Sequence, residues 1–442
     1  MALSENPNLA LIPSGYKSGK IYSVLPTTGV GDFDFSRSGT ATRINSQGLI
    51  ETVADGVPRL NYPLIDGKVV GCPSHLLEPQ RTNLVQYSED FSNAAWSKTN
   101  STITSDAVIS PDGTLNADAL FETTDNNFHI IYDTISSLAD TEYNFSIFVK
   151  KLNRRYVGIQ GFYSSTRGNI AFFDLDNGVL EYTFSEGTGY SVSDAKIEKY
   201  PNGWYRLSAN FTTYDTEIYM GLCLADERWS SGTAYDNVYA GDVTKGVYTW
   251  GAQLEQGSYP TSYIPTNGSS VTRSAETATN SGDASTFNDS EGVLMAEISA
   301  LADDITNRII SISDGSGSNR VLVKFDNSSN LIQGTCTVGT DQASLLYYTN
   351  DITINSKVLF LYKSNDFQLW VDGFKRDFDS NGTTPSGLDR LNFDNSSGGS
   401  NFYGNTKQIQ YFDSALTDNE LETLTSWVSF SDMANGQLYS IQ

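Results

Sequence analysis

Aromatic side chains in polar loops are the residues of this chain best suited to chemistry, and that chemistry is sugar recognition. Trp229, Tyr235 and Tyr239 follow the acidic pair Asp226-Glu227, and Tyr347-Tyr348 precedes Thr349-Asn350-Asp351. A sugar ring offers C–H faces to Trp and Tyr, while acid and amide groups hold its hydroxyls. These five aromatics are the expected glycan contacts. Trp204, Trp250 and Trp370 instead lie in strand-like alternation and are expected in cores.

Asp174-Leu175-Asp176-Asn177-Gly178 places oxygens at alternate positions before a turn glycine, like the start of a calcium loop. Asp174 and Asp176 are therefore candidate metal ligands, and calcium is the one cofactor the residues suggest. The bidentate glutamate of such a loop is absent, because its twelfth position is Ser185. A hairpin turn accounts for the same five residues.

No catalytic set is expected, and no enzyme. His75 and His129 sit in unrelated settings, and there is no Gly-x-Ser-x-Gly elbow, His-Glu-x-x-His pair or phosphate-cradling glycine loop. Glycan hydrolysis needs only two carboxylates. With 52 Asp+Glu in the chain, composition is silent on it.

The elements that must position these residues are strands. Of 442 residues only 18% are charged, against 12% aromatic, with 37 Gly and 25 Tyr. Ser, Thr, Asn and Gly must then supply the polar surface, which favours turns and strand faces over helix interiors. The net charge of −24 argues against nucleic acid, whose phosphates require Lys and Arg. No apolar run reaches membrane-spanning length, and the first residues lack the basic and apolar regions of a signal peptide. Cys72, Cys223 and Cys336 are too scattered for a disulfide framework or a zinc site.

Charge divides the chain. Residues 1–85 hold seven Lys/Arg and seven Asp/Glu, so the whole excess of acid lies beyond them. A neutral head suits docking against protein, and an acidic body suits facing water. The expected organisation is an extended anchoring segment over 1–85, a β-sandwich over 86–265, a linker over 266–290 that is poor in apolar residues, and a second β-sandwich over 291–442. In the first sandwich Tyr143 to Val149 alternates at period two, and Asn177-Gly178 joins two β-rich runs. In the second, Asp372-Gly373 marks a hairpin, and Thr417-Asp418-Asn419-Glu420 is a capping box. That box predicts one short helix with Leu421, Leu424 and Val428 on one face. The fold class is all-β, with jelly-roll sandwiches.

Two segments carry a resemblance. Phe33-Asp34-Phe35-Ser36-Arg37-Ser38-Gly39-Thr40-Ala41-Thr42-Arg43-Ile44 continues through Gly56-Val57-Pro58-Arg59-Leu60-Asn61-Tyr62 to Leu76-Leu77-Glu78-Pro79-Gln80-Arg81-Thr82-Asn83-Leu84. Trp250-Gly251-Ala252-Gln253-Leu254-Glu255 continues to Thr261-Ser262-Tyr263-Ile264-Pro265-Thr266 and Val271-Thr272-Arg273. Both resemble modules of tailed-phage virion proteins, notably fibre and appendage proteins of marine phages. Between them lies a carbohydrate-binding-module-like jelly roll, marked by Pro201-Asn202-Gly203-Trp204-Tyr205-Arg206-Leu207. Residues Phe367 to Gly373 and Ile409 to Leu421 are similar to concanavalin A-like, laminin G-like modules, although Asn392-Phe393 stands where such modules usually carry Ile-Gly.

The resemblance implies a structural protein of a virion, displayed as a head or tail fibre, spike or decoration and contacting host surface glycans. A purely architectural component and a polysaccharide depolymerase are the alternatives. It implies a homo-oligomer, a trimer by analogy, with other virion proteins as partners and no membrane insertion. It casts Arg37, Arg43, Arg59 and Arg81 as clamps, since a guanidinium fork binds two oxygens at once and tolerates burial when paired.

Overall fold

The computed structural model describes residues 3–13, 15–164 and 167–428, together with 432–433 and 436–437. Two antiparallel six-stranded sheets form the first sandwich. One runs Ser97–Thr99, His129–Ser136, Glu217–Ala225, Tyr156–Ser164, Arg167–Asp174, Val179–Glu186. The other runs Ser101–Ile109, Leu115–Glu122, Gly246–Gln256, Thr141–Lys151, Trp204–Thr213, Ser191–Lys199. Their inner registers bury Phe145, Ile147, Val157, Ile159, Leu207, Leu222 and Leu254 in one core. Trp204 and Trp250 pack with Phe148 and Tyr263 in a second cluster at the base. Asp174-Leu175-Asp176-Asn177-Gly178 is the turn between two paired strands, with Gly178 at φ +64° as such a turn requires.

The second sandwich packs a five-stranded sheet, from Thr340–Tyr348 to Arg390–Asn392, on an eight-stranded one. Residues expected to reach outward complete that larger sheet. Gly404–Phe412 pairs with Leu9–Leu11 along part of its length and with Ser74–Leu77 along another, and Ser74–Leu77 pairs with Arg59–Asn61. Leu9, Leu11, Ile21, Phe33, Phe35 and Leu77 lie in the same core as Leu294, Phe360 and Tyr411. The hairpin of Ala41–Ile44 and Ile50–Val53 leans the other way, putting Ile50 against Trp204 and Trp250 of the first sandwich. The described residues of 1–85 therefore join the two sandwiches of their own chain.

Residues 266–290 are not a loose linker. Val271–Arg273 pairs with Arg81–Asn83, and Thr277–Thr279 pairs with Phe33–Ser36. Ala278 and Phe287 enter the second core. Apolar content misleads here because the burial is largely of polar and charged groups, Arg273, Glu276 and Ser281 among them.

Those charges form the joint. Glu276 binds Arg37 (2.8 Å) and Arg59, while Glu78 binds Arg59 and Arg273 (both 2.8 Å), and all five side chains are closed to solvent or nearly so. Backbone groups join in: Glu78 N–H donates to Glu276 Oε2 (2.9 Å), and Glu276 N–H donates to the Glu78 carbonyl (3.1 Å). Arg59 also donates to the Thr42 carbonyl (3.0 Å) and to Ser262 Oγ (2.7 Å). Opposite charges and this dense hydrogen bonding make such burial tolerable, although Arg273 Nε is left without a partner.

The helix is Asp418–Thr425 and begins at the expected capping box. Glu420 accepts from Thr417 N–H (3.0 Å) and from Ser4 N–H (2.8 Å), which pins the start of the described chain to this helix. The helix stops sooner than the apolar spacing suggested. Ser426 is already extended, so Val428 lies off the helix and is 92% exposed. Among the described residues no helix is long and apolar enough to cross a membrane.

Candidate functional site

Strands alternate their side chains between faces, and in the first sandwich both faces of one sheet carry rings. Ile131, Met220 and Ile159 point into the core. The opposite register carries Tyr132, Phe162, Phe172 and Tyr219 on the outside of the sheet. Residues 226–241 lie as a strap over one end of this outer face. Trp229 stacks flat on Phe172 (4.8 Å, 13°), Ala234 N–H donates to Gln160 Oε1 (3.2 Å), and the Tyr182 hydroxyl donates to the Gly232 carbonyl (3.1 Å). A turn closed by Thr233 N–H on Asp236 Oδ2 (2.7 Å) fixes the strap's own shape.

The other end of the face stays open. Tyr219 meets Phe162 edge-on (5.2 Å, 64°) and lies parallel to Tyr163 (6.2 Å, 3°). The ladder slips between Phe162 and Ser164, and such a bulge re-aims a side chain, bringing Tyr163 to the ring cluster. Gly221 pairs with Tyr132, and a Cβ there would stand 2.1 Å from the Ile131 carbonyl oxygen, so only glycine fits beside that ring. Arg167 covers Tyr163 at 4.6 Å and pairs with Asp215 at 3.1 Å. Glu217 hydrogen-bonds Tyr219 and raises its phenol pKa. Tyr163 is 36% exposed. Two parallel phenol rings beside a guanidinium and two carboxylates can hold a sugar by its C–H face and its hydroxyls.

The five expected glycan contacts fare differently. Trp229 and Tyr239 are buried, which removes them as contacts. Trp229 is the strap's anchor; the Tyr239 hydroxyl donates to buried Glu122 (2.8 Å), and its ring leans on His129 (4.7 Å). Both were placed outside because their loop reads as polar, but that loop lies on a sheet face already covered with rings. Tyr235 is half-buried against Phe128 and Phe162. Tyr347 is half-buried under Arg376, whose guanidinium stands 4.3 Å from the ring. Tyr348, next to it on the edge strand, is 64% exposed. The structure does not bring the two tyrosine sets together.

Asp174 and Asp176 do not make a metal site. Asp174 is gripped by Arg155 at both oxygens (2.9 and 2.6 Å) and caps its own turn through Asp176 N–H (2.9 Å). That pairing holds its carboxyl down at about 2. Asp176 pairs with Lys151. Among the described residues no cluster of His, Cys, Asp and Glu could hold a metal ion.

Of the four arginines read as clamps, Arg37 and Arg59 lie in the joint. Arg43 makes a partly exposed pair with Glu51 (3.2 Å), and Arg81 donates to the Gln80 carbonyl (3.1 Å) and covers the Tyr259 ring at 5.3 Å. The partners Glu78, Arg273 and Glu276 were not singled out. The signal for them was thin: acids and a base in otherwise neutral stretches that are distant in sequence. Tyr163 and Tyr219 were missed because they sit within strands, where an aromatic reads as core.

No family model matches this chain, and no curated protein matches it. Among solved structures it is similar to domains LG4-5 of the mouse laminin alpha1 chain, with 9% identity and a TM-score of 0.23, over 65% of this chain and 88% of that one. So loose a superposition carries no argument. The sandwich architecture rests on the strand pairing itself.

Proposed function

We propose that this chain is a non-enzymatic structural protein of a tailed-phage particle, displayed as a fibre, spike or decoration, that meets host surface glycans. The observation that carries the glycan contact is the open Tyr163–Tyr219 pair with Arg167 and Asp215 beside it. What supports the virion assignment is the resemblance of the two motif segments, and their residues have a shared physical task. Arg37, Arg59 and Glu78 from the first motif and Arg273 from the second meet in one buried joint.

That joint narrows the expected role of residues 1–85. Leu9, Leu11, Ile21, Phe33, Phe35 and Leu77, with Arg37 and Arg59, are engaged within the chain, which leaves the exposed part of the segment, Ile12, Val24 and Val30 among it, for attachment to other virion proteins. Sugar contacts of this kind are individually weak, and an oligomer, a trimer by analogy, would multiply them.

The test uses the full chain on an array of bacterial surface glycans and on host polysaccharide. Binding that falls with Tyr219→Ala and Tyr163→Ala but not with Tyr348→Ala supports the reading. Silence on every glycan would leave a purely architectural component. New reducing ends or unsaturated uronates after incubation would overturn the non-enzymatic reading.

A further inference from the structure

A cavity of about 260 Å³ lies where the two sandwiches and the joining segment meet. Its walls include Asn61 from the segment, Phe148, Tyr200 and Arg206 from the first sandwich, and Leu301 and Asn405 from the second. Junctions of this kind are preferred sites for small ligands. The volume falls below the roughly 300–1,000 Å³ of pockets for drug-sized molecules. It suits one sugar ring and not a chain of them.

Arg206 sets the chemistry. It is buried, yet unlike Arg37, Arg59 and Arg273 it has no carboxylate partner among the described residues. Its Nη2 donates to Ser146 Oγ (3.0 Å) and to the Thr261 carbonyl (2.8 Å), and its guanidinium lies 5.6 Å over the Phe148 ring. Its Nε is buried with no hydrogen-bond partner. Glu198 stands directly opposite on the neighbouring strand and lines the same cavity without forming an ion pair with it. A buried guanidinium that lacks an anion is unfavourable unless something supplies one. Arg43 and Lys196 also line the cavity, so its three cations outnumber Glu78 and Glu198 in a chain of net charge −24.

We infer that this cavity binds a single carboxylate-bearing sugar residue, with the carboxylate on Arg206 and the ring hydroxyls on the amides of Asn61 and Asn405. That the ligand is a sugar rests on the glycan reading above; that it is a carboxylate rests on Arg206. A guanidinium fork matches a carboxylate at two points, and that match separates acidic from neutral sugars.

The test titrates the full chain with D-glucuronate, with D-glucose and inorganic phosphate as comparisons, by calorimetry and amide chemical shifts. The expected result is binding of glucuronate alone, weakened on the order of tenfold or more by Arg206→Gln. Leu301→Trp narrows the cavity from the opposite wall, leaves Arg206 intact and should abolish the same binding, with thermal melting confirming that each variant is folded. No glucuronate binding, equal binding of glucose, binding of phosphate alone, or binding that survives Leu301→Trp each overturns the inference. Loss of array binding in Tyr219→Ala reports on the aromatic face and is read separately from this titration.

Discussion

Arg59 and Glu276, 217 positions apart, meet as a two-point fork: Arg59 Nε donates to Glu276 Oε1 at 3.0 Å and Nη2 holds Oε2, with both side chains closed to solvent. Glu276→Gln leaves Arg37, Arg59 and Arg273 with one carboxylate between them. Unfolding by denaturant should show a loss of about 3–5 kcal/mol, the usual effect of removing one partner from a buried pair. Arg59→Met should lose a similar amount. The double variant Arg59→Met/Glu276→Gln should lose less than the two singles summed, because the contact between Arg59 and Glu276 is then lost only once.

Removing residues 1–85 should unfold the second sandwich. Six side chains of its core, Leu9, Leu11, Ile21, Phe33, Phe35 and Leu77, come from that segment. At about 1.5–3 kcal/mol for each buried side chain their combined loss is as large as the roughly 5–15 kcal/mol that holds a domain folded. Fragment 86–442 should bind a hydrophobic dye and lose near-ultraviolet dichroism, while the full chain does neither. A fragment that melts cooperatively as two units would refute this.

His75 should make stability depend on pH between about 4 and 6.5. Burial pulls its imidazole from the ordinary 6.5 down to about 4, and neither ring nitrogen has a partner. In that window the unfolded state binds more protons, so the contribution is full above 6.5 and shrinks as pH falls towards 4. Its size is on the order of 3 kcal/mol. Asp118 and Asp133 act in the opposite sense. Burial raises both to about 6, so the folded state keeps their protons longer and gains stability as pH falls through that range. The wild-type profile therefore mixes the two. The measurement is the difference in unfolding free energy between wild type and His75→Phe across pH 4–7, which should shrink as pH falls.

Trp229 and Tyr348 should respond oppositely to truncation. Trp229→Ala empties the contact on Phe172 and should cost about 3 kcal/mol. Tyr348→Ala removes an exposed ring and should stay within about 0.5 kcal/mol. Thermal melts of the two variants decide it.

Much of the fold was legible because its core strands alternate plainly. Thr141–Lys151 and Trp204–Thr213 bracket the runs expected from Tyr143 and from Trp204, and the turns at Asn177-Gly178 and Asp372-Gly373 fall where those residues predict. Ser101–Ile109 was not legible: it is an edge strand whose side chains are mostly exposed, so no apolar period marks it. The site was harder still. A period-two pattern shows that two faces differ, but it cannot show that the outer face of one sheet is paved with rings and strapped by Trp229. The joint was invisible for another reason. Its pairs form between acids and bases far apart in the chain, and no local pattern joins Arg59 to Glu276.

The pairing of Leu9 with Tyr411 sets an order of events during synthesis. The strand Leu9–Leu11 leaves the ribosome long before its partner Gly404–Phe412, with the whole first sandwich made in between. The first sandwich can close while translation continues. The second must wait, with greasy segments from both ends held apart, and such long-range closure is slow and prone to clumping. Nascent chains stalled before position 404 should therefore be the ones that chaperones hold.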